Sequence, residues 1–171
     1  SEVYLHQMPG GQFTNLKAQA RSLGLEDRWQ EVASTYAEVN KMFGDIVKVT
    51  PSSKVVGDMA LMMVAQDLTR EDVENPRIDV NFPKSVVEML QGNLGQPPGG
   101  FPQKIVKKVL KKKTPDITRP GSRLAPANMK KLKEEATSAC FKEELSEEEF
   151  NSYLMYPKVF EEYVKDRDCY G

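Results

Sequence analysis

Two short segments carry residue types that could do chemistry. The first is Lys48-Val49-Thr50-Pro51-Ser52-Ser53-Lys54-Val55-Val56-Gly57-Asp58. Thr50 is a candidate N-cap, Pro51 suits the first helical position where its missing N–H costs nothing, and Ser52 and Ser53 follow. A helix start of this kind concentrates free N–H groups, hydroxyls and one ammonium, which suits a carboxylate, a phosphate or a developing oxyanion. A well-capped surface helix would read the same way. The second segment is Pro9-Gly10-Gly11-Gln12-Phe13-Thr14-Asn15. Its paired glycines permit a tight turn and close backbone approach, and Gln12, Thr14 and Asn15 bring hydrogen-bonding groups to a helix entrance. A plain turn ahead of a helix is the simpler account of it.

The scarce residues exclude other chemistry. The 171 residues hold one histidine, His6, and two cysteines, Cys140 and Cys169. No Cys/His zinc site can be assembled from this chain alone, and a nucleophilic Ser-His-Asp or Cys-His site would have to use His6. Cys140, in an apolar helical stretch, reads as a small core residue. With 24 Lys and Arg against 25 Asp and Glu, the net charge is −1, so no global field draws the chain to nucleic acid or to an anionic membrane. No targeting segment or membrane-spanning apolar run is visible in the sequence.

The elements that must position these residues are helical. Trp29, Val32, Ala33, Tyr36, Val39 and Phe43 fall on one face of a helix. Phe13, Leu16, Ala20 and Leu23 give a shorter one stopped by Gly24, and Val55, Val56, Met59, Met62 and Met63 mark a third. A Thr69-capped turn follows, then a helix from about Pro83 to Gln91 closed by Gly92. Gly95 to Gly100 and Thr114 to Pro126 read as irregular. Met129, Leu132 and Ala136 suggest a helix, Ser146 with Glu149 is a capping-box signature, and Pro157 starts a last helix. Only Asp45 to Val49 and Ile78 to Phe82 look strand-like, so the fold class expected is all-α. The chain is expected to form a single helical region, 1–171, in three stretches: 1–66 around the two chemical segments, 67–126 with short helices and Pro/Gly loops, and 127–171. Lys104, Lys107, Lys108 and Lys111, extended by Lys112 and Lys113, form a basic helix face; a solvated face is the plain reading, an acidic partner the alternative.

The strings MPGGQFTNLKAQARSLGL, MFGDIVKVTPSSKVVGDMALMMVAQDL and FPKSVVEMLQG, the Arg119-Pro120-Gly121 turn and SYLMYPKVFEEY occur in that order. Together they resemble the region after the barrel in the carboxyltransferase domain of the pyruvate carboxylase family, a region shared with oxaloacetate decarboxylase α chains and transcarboxylase subunits. The resemblance implies a helical extension that caps the mouth of a (β/α)8 barrel, with the barrel itself outside this chain. It implies biotin as cofactor, and a divalent metal (Zn or Mn) and ATP with Mg in parts of the enzyme beyond these residues. Pyruvate, the biotinylated carrier domain and the rest of the barrel are the implied partners, within a homotetramer in a bacterial cytoplasm or mitochondrial matrix. No nucleic acid or membrane partner is implied.

By the same resemblance, Thr50 matches the catalytic threonine that shuttles a proton between the pyruvate methyl group and the biotin ureido nitrogen. Ser53 and Lys54 match positions that hydrogen-bond the ureido oxygen, and Gln12 matches a residue near the same pocket. The implied function is carboxyl transfer from carboxybiotin to pyruvate, giving oxaloacetate for anaplerosis and gluconeogenesis. The alternatives are the same region of a decarboxylase or transcarboxylase subunit, and a non-catalytic helical interaction module.

Overall fold

The computed structural model describes residues 6–111 and 113–170. They form α1 (Gly10–Ser22), a 3-10 turn (Glu26–Arg28), α2 (Trp29–Met42), α3 (Ser52–Ala65), α4 (Arg70–Glu74), α5 (Lys84–Leu90) and α6 (Gln103–Leu110). A second 3-10 turn (Pro120–Arg123) precedes α7 (Met129–Ala139), α8 (Glu147–Met155) and α9 (Pro157–Tyr170). No strand occurs among the described residues, and the fold is all-α as expected. The runs 45–49 and 78–82 are irregular connections in which Ile46 and Val80 are buried and Phe82 is partly buried against the core. Contacts divide the chain into two compact units, one ending at Arg123 and the other beginning at Leu124, inside the Pro/Gly-rich stretch read as irregular.

In the first unit, α2 buries the stripe the periodicity marked. Val32, Ala33, Tyr36, Val39 and Phe43 have no exposed surface and Trp29 has 6%. Full burial of an aromatic or aliphatic side chain contributes about 1.5–3 kcal/mol, so this one face anchors the unit. It packs on α3, which also meets α1 and α5. Nine of the 14 residues of α3 are buried. A helix apolar around most of its circumference belongs in the middle of a bundle, so the surface-helix alternative for this segment fails.

Helix ends follow local chemistry. Gly24 (φ +71°) and Gly92 (φ +94°) close α1 and α5 in the left-handed conformation glycine accepts most readily. At the first, Leu25 N–H donates to Ala20 O at 2.8 Å and Gly24 N–H to Arg21 O at 3.0 Å. At α4, Thr69 and Asp72 form a reciprocal capping box, and at α8, Ser146 and Glu149 form another.

In the second unit, α7, α8 and α9 enclose a small core of Ala136, Cys140, Leu145, Phe150, Phe160 and Val164. Cys140 is a core residue as read, seated just past the end of α7.

Candidate functional site

The start of α3 departs from the expected cap. The helix begins at Ser52, Pro51 is its boundary residue after a cis Thr50–Pro51 bond, and no side chain caps it. Thr50 is therefore not the N-cap and Pro51 is not the first helical residue. The local bridge is made instead by Ser52, whose Oγ accepts from Val49 N–H at 3.1 Å and shares its one O–H between the carbonyls of Val47 and Val49, both 2.7 Å away. Three of the amides at the helix start are also occupied. Ser53 N–H donates to Val49 O, and Lys54 and Val55 N–H to Pro51 O, at 3.0 to 3.2 Å. An anion here would meet side-chain donors and not a cradle of free N–H groups, because the preceding turn supplies the carbonyls that use them.

Thr50 stands exposed in that turn, ahead of the helix. Ser53 is 6% exposed, and its hydroxyl has no hydrogen bond to any described residue. Tyr36 O–H, buried on α2, donates to the carbonyl of Ser53 at 3.4 Å, which fixes the first turn of α3 against α2. Burial holds the Tyr36 phenol in its neutral form, its pKa pushed up to about 12, so it remains a donor throughout the ordinary pH range. Lys54 is exposed and pairs with Asp58 at 2.8 Å, one turn along α3.

Gln12 is buried on α1 at 9% exposure. Its Nε2 lies 2.6 Å from where a Cβ on Gly57 would stand, so the glycine is what lets α1 and its glutamine approach α3. Ser53 and Gly57 are one turn apart on the same face, which places Gln12 one turn beyond the serine. Of the other polar residues near the PGGQ turn, Thr14 is exposed and donates back to Gly10 O at 3.4 Å, and Asn15 is exposed. Beside Thr50, a groove of about 290 Å³ is lined by Val47, Val49, Ser52, Leu94, Pro97 and Phe101 among others.

The sequence alone assigns no role to Gly57, Asp58 or Ser85 and marks Tyr36 only as part of the buried stripe, although the four-residue spacing of Lys54 and Asp58 is a usable signal. Ser85 Oγ donates to Asp58 Oδ2 at 2.6 Å from the first turn of α5.

The basic face on α6 stays exposed at Lys104, Lys107 and Lys111, and several of its lysines also find partners in the chain. Lys104 pairs with Glu74 at 2.5 Å and Lys111 with Asp79 at 3.3 Å, while Lys108 donates to the carbonyls of Asn75 and Ile78. These lysines strap the 74–79 connection onto α6, and Lys112 lies outside the described residues. Among the described residues, no group of three or more His, Cys, Asp or Glu could hold a metal ion, and no helix is long and apolar enough to cross a membrane.

Residues 3–171 match the family described as the conserved carboxylase domain. The chain belongs to that family. Over its full length it is 52% identical to the pyruvate carboxylase of Bacillus subtilis, covering 15% of that protein, and 46% identical to the mitochondrial pyruvate carboxylase of Rattus norvegicus, covering 14%. The chain thus spans about a seventh of the length of these carboxylase relatives. It is also similar, at 61% identity and a TM-score of 0.95, to the solved carboxyl transferase domain of Rhizobium etli pyruvate carboxylase, covering all of this chain and 28% of that one. The same Rhizobium etli domain solved with pyruvate and biocytin gives a TM-score of 0.94 at 61% identity, again over the whole chain and 29% of the other.

Proposed function

We propose that this chain is the helical part of a carboxyltransferase domain in a biotin-dependent pyruvate carboxylase, acting where a carboxyl group passes from carboxybiotin to pyruvate to give oxaloacetate. The observation that carries this reading is the likeness, along the whole chain, to a carboxyl transferase domain solved with pyruvate and biocytin. The relatives named above are pyruvate carboxylases, which favours pyruvate carboxylation over the decarboxylase and transcarboxylase alternatives.

The residues present suit a biotin ureido group. Ser53 is a mostly covered residue whose hydroxyl makes no hydrogen bond to another described residue, and Lys54 uses one of its three N–H donors on Asp58 and keeps two. Bound carboxybiotin supplies the carboxyl group, and the methyl carbon of pyruvate receives it. Thr50 Oγ1 gives its proton to the ureido nitrogen and takes the proton that leaves the methyl carbon, ending as it began. A threonine hydroxyl is a weak acid and a weak base, so it serves only when the two transfers are coupled in this way. Ser53 Oγ and Lys54 Nζ donate to the ureido oxygen, where negative charge gathers as the carboxyl group departs. Gln12, pinned over Gly57, closes the inner wall of the same pocket.

The divalent metal, Zn or Mn, and ATP with Mg belong to other parts of such an enzyme. So does the biotinylated carrier domain. The remaining barrel covers exposed apolar side chains such as Val47, Val49 and Leu94, and the full assembly is a homotetramer of a bacterial cytoplasm or mitochondrial matrix. The 171 residues alone have no turnover on this reading, since most of the substrate site lies in that barrel.

The test is Thr50→Ala in the intact carboxylase. Oxaloacetate formation is expected to fall at least about 100-fold, the usual contribution of a positioned proton-transfer group, while bicarbonate-dependent ATP cleavage continues. Normal oxaloacetate formation by this variant overturns the assignment.

A further inference from the structure

Asp58 lies one turn beyond Lys54, on the same strip of α3. Its Oδ2 accepts from Lys54 Nζ at 2.8 Å and from Ser85 Oγ at 2.6 Å. The Asp58 side chain is 19% exposed and that of Lys54 58%. The second donor comes from the first turn of α5, 27 positions away in sequence, so the carboxylate is fixed by an element other than its own helix.

That arrangement differs from an ordinary exposed pair four residues apart. With both ends mobile, such a pair contributes little, because two long side chains must be ordered to make one contact. Here one end is held in place before the lysine arrives. A mostly covered carboxylate needs partners, and Ser85 and Lys54 are the ones it has among the described residues. The lysine, by contrast, is a flexible four-carbon stem whose ammonium would otherwise sample many directions.

We propose that Asp58, anchored by Ser85, is a positioning residue that aims the Lys54 ammonium at the biotin ureido oxygen. The inference rests on the role proposed for Lys54. One N–H of the ammonium is tied to Oδ2, and two remain for an acceptor. Asp58 itself touches neither pyruvate nor biotin; it acts through the lysine. Loss of the carboxylate leaves the positive charge at Lys54 but removes its direction, and loss of the Ser85 hydroxyl loosens the anchor by one step more remote.

The experiment is a double-mutant cycle in the intact carboxylase, read as isotope exchange between labelled pyruvate and oxaloacetate, which follows carboxyl transfer without ATP. Asp58→Asn is expected to slow exchange about tenfold, the scale of one charge-assisted hydrogen bond. Asp58→Glu is expected to recover part of that loss, and Ser85→Ala to produce a smaller loss in the same direction. In a Lys54→Met background, Asp58→Asn is expected to add nothing, because there is no ammonium left to aim. A loss from Asp58→Asn that is equally large in both backgrounds is a structural effect and overturns the proposal. So does unchanged exchange in Asp58→Asn while Lys54→Met is impaired, and this result leaves the role of Lys54 standing. Unchanged exchange in Lys54→Met overturns both. If Asp58→Asn fails to fold, Ser85→Ala in the two backgrounds decides by the same comparison.

Discussion

At Gly57 the two chemical segments of the sequence meet. A Cβ there would lie 2.6 Å from Gln12 Nε2 and 2.9 Å from Leu16 Cδ1. Alanine is intrinsically better than glycine inside a helix by roughly 0.5–1 kcal/mol. Against this, Leu16 is fully buried, and overpacking a filled core costs about 1–3 kcal/mol. The second term wins, so Gly57→Ala is expected to lower stability by about 1–2 kcal/mol in urea denaturation and to displace Gln12. A raised denaturation midpoint would mean that the helices separate more easily than this contact implies. At this scale the sequence was legible by residue type and not by contact. The Thr-Pro-Ser-Ser-Lys string could be picked out because hydroxyls and an ammonium crowd one turn. Gly57 could not, since a glycine within an apolar helix carries no sign of what approaches it, and Ser85 could not, since its partner is 27 positions away.

The elements were legible wherever their signals are local. The stripe on α2, the glycine-closed ends of α1 and α5, and the Ser146–Glu149 box each depend on residues within a few positions of one another. The start of α3 was misread for a related reason. Thr50 has the chemistry of a cap, but Ser52 reaches back to Val49 and the carbonyls of Val49 and Pro51 take the first amides, a choice made by the turn as a whole. The solvated character of the lysine face of α6 is legible, but its acceptors, Glu74, Asp79 and two carbonyls, are not, because they sit on a connection roughly thirty residues upstream.

Unit two offers the sharpest test at the scale of elements. Glu149 joins Lys142 at 2.7 Å, the Ser146 N–H at 2.9 Å and Arg167 at 3.1 Å, linking the start of α8 to α9. The Lys142 hydrogen bond, then the Ser146 amide and the Arg167 guanidinium, hold its pKa down to about 2 from an ordinary 4.5. Because the folded value is the lower one, this stabilisation is complete above pH 4.5 and is lost as the pH falls toward 2. Protection factors for amide hydrogen exchange in α8 and α9, taken relative to the intrinsic exchange rate at each pH, are therefore expected to fall across that interval, and Glu149→Gln is expected to show weak protection already at neutral pH. Protection factors that stay constant in the native protein over that range would contradict the assignment of Glu149 as the link.

At the scale of the whole molecule, composition and fold alone would describe a nearly neutral helical protein with too few histidines and cysteines for a Cys/His zinc site. The family likeness changes what those numbers mean, since the chain covers about a seventh of its carboxylase relatives and 28% of a solved carboxyl transferase domain. Its share of the proposed chemistry is one hydroxyl for a proton, two donors for a developing charge and the packing that holds them. The measurement that bears on this most directly is pyruvate–oxaloacetate isotope exchange in the intact carboxylase with Thr50→Ala, run without ATP so that only carboxyl transfer is followed. The exchange is expected to fall to the background of the enzyme lacking biotin, with the protein folded and still cleaving ATP in the presence of bicarbonate. Exchange at the native rate would contradict the placement of the proton relay at Thr50.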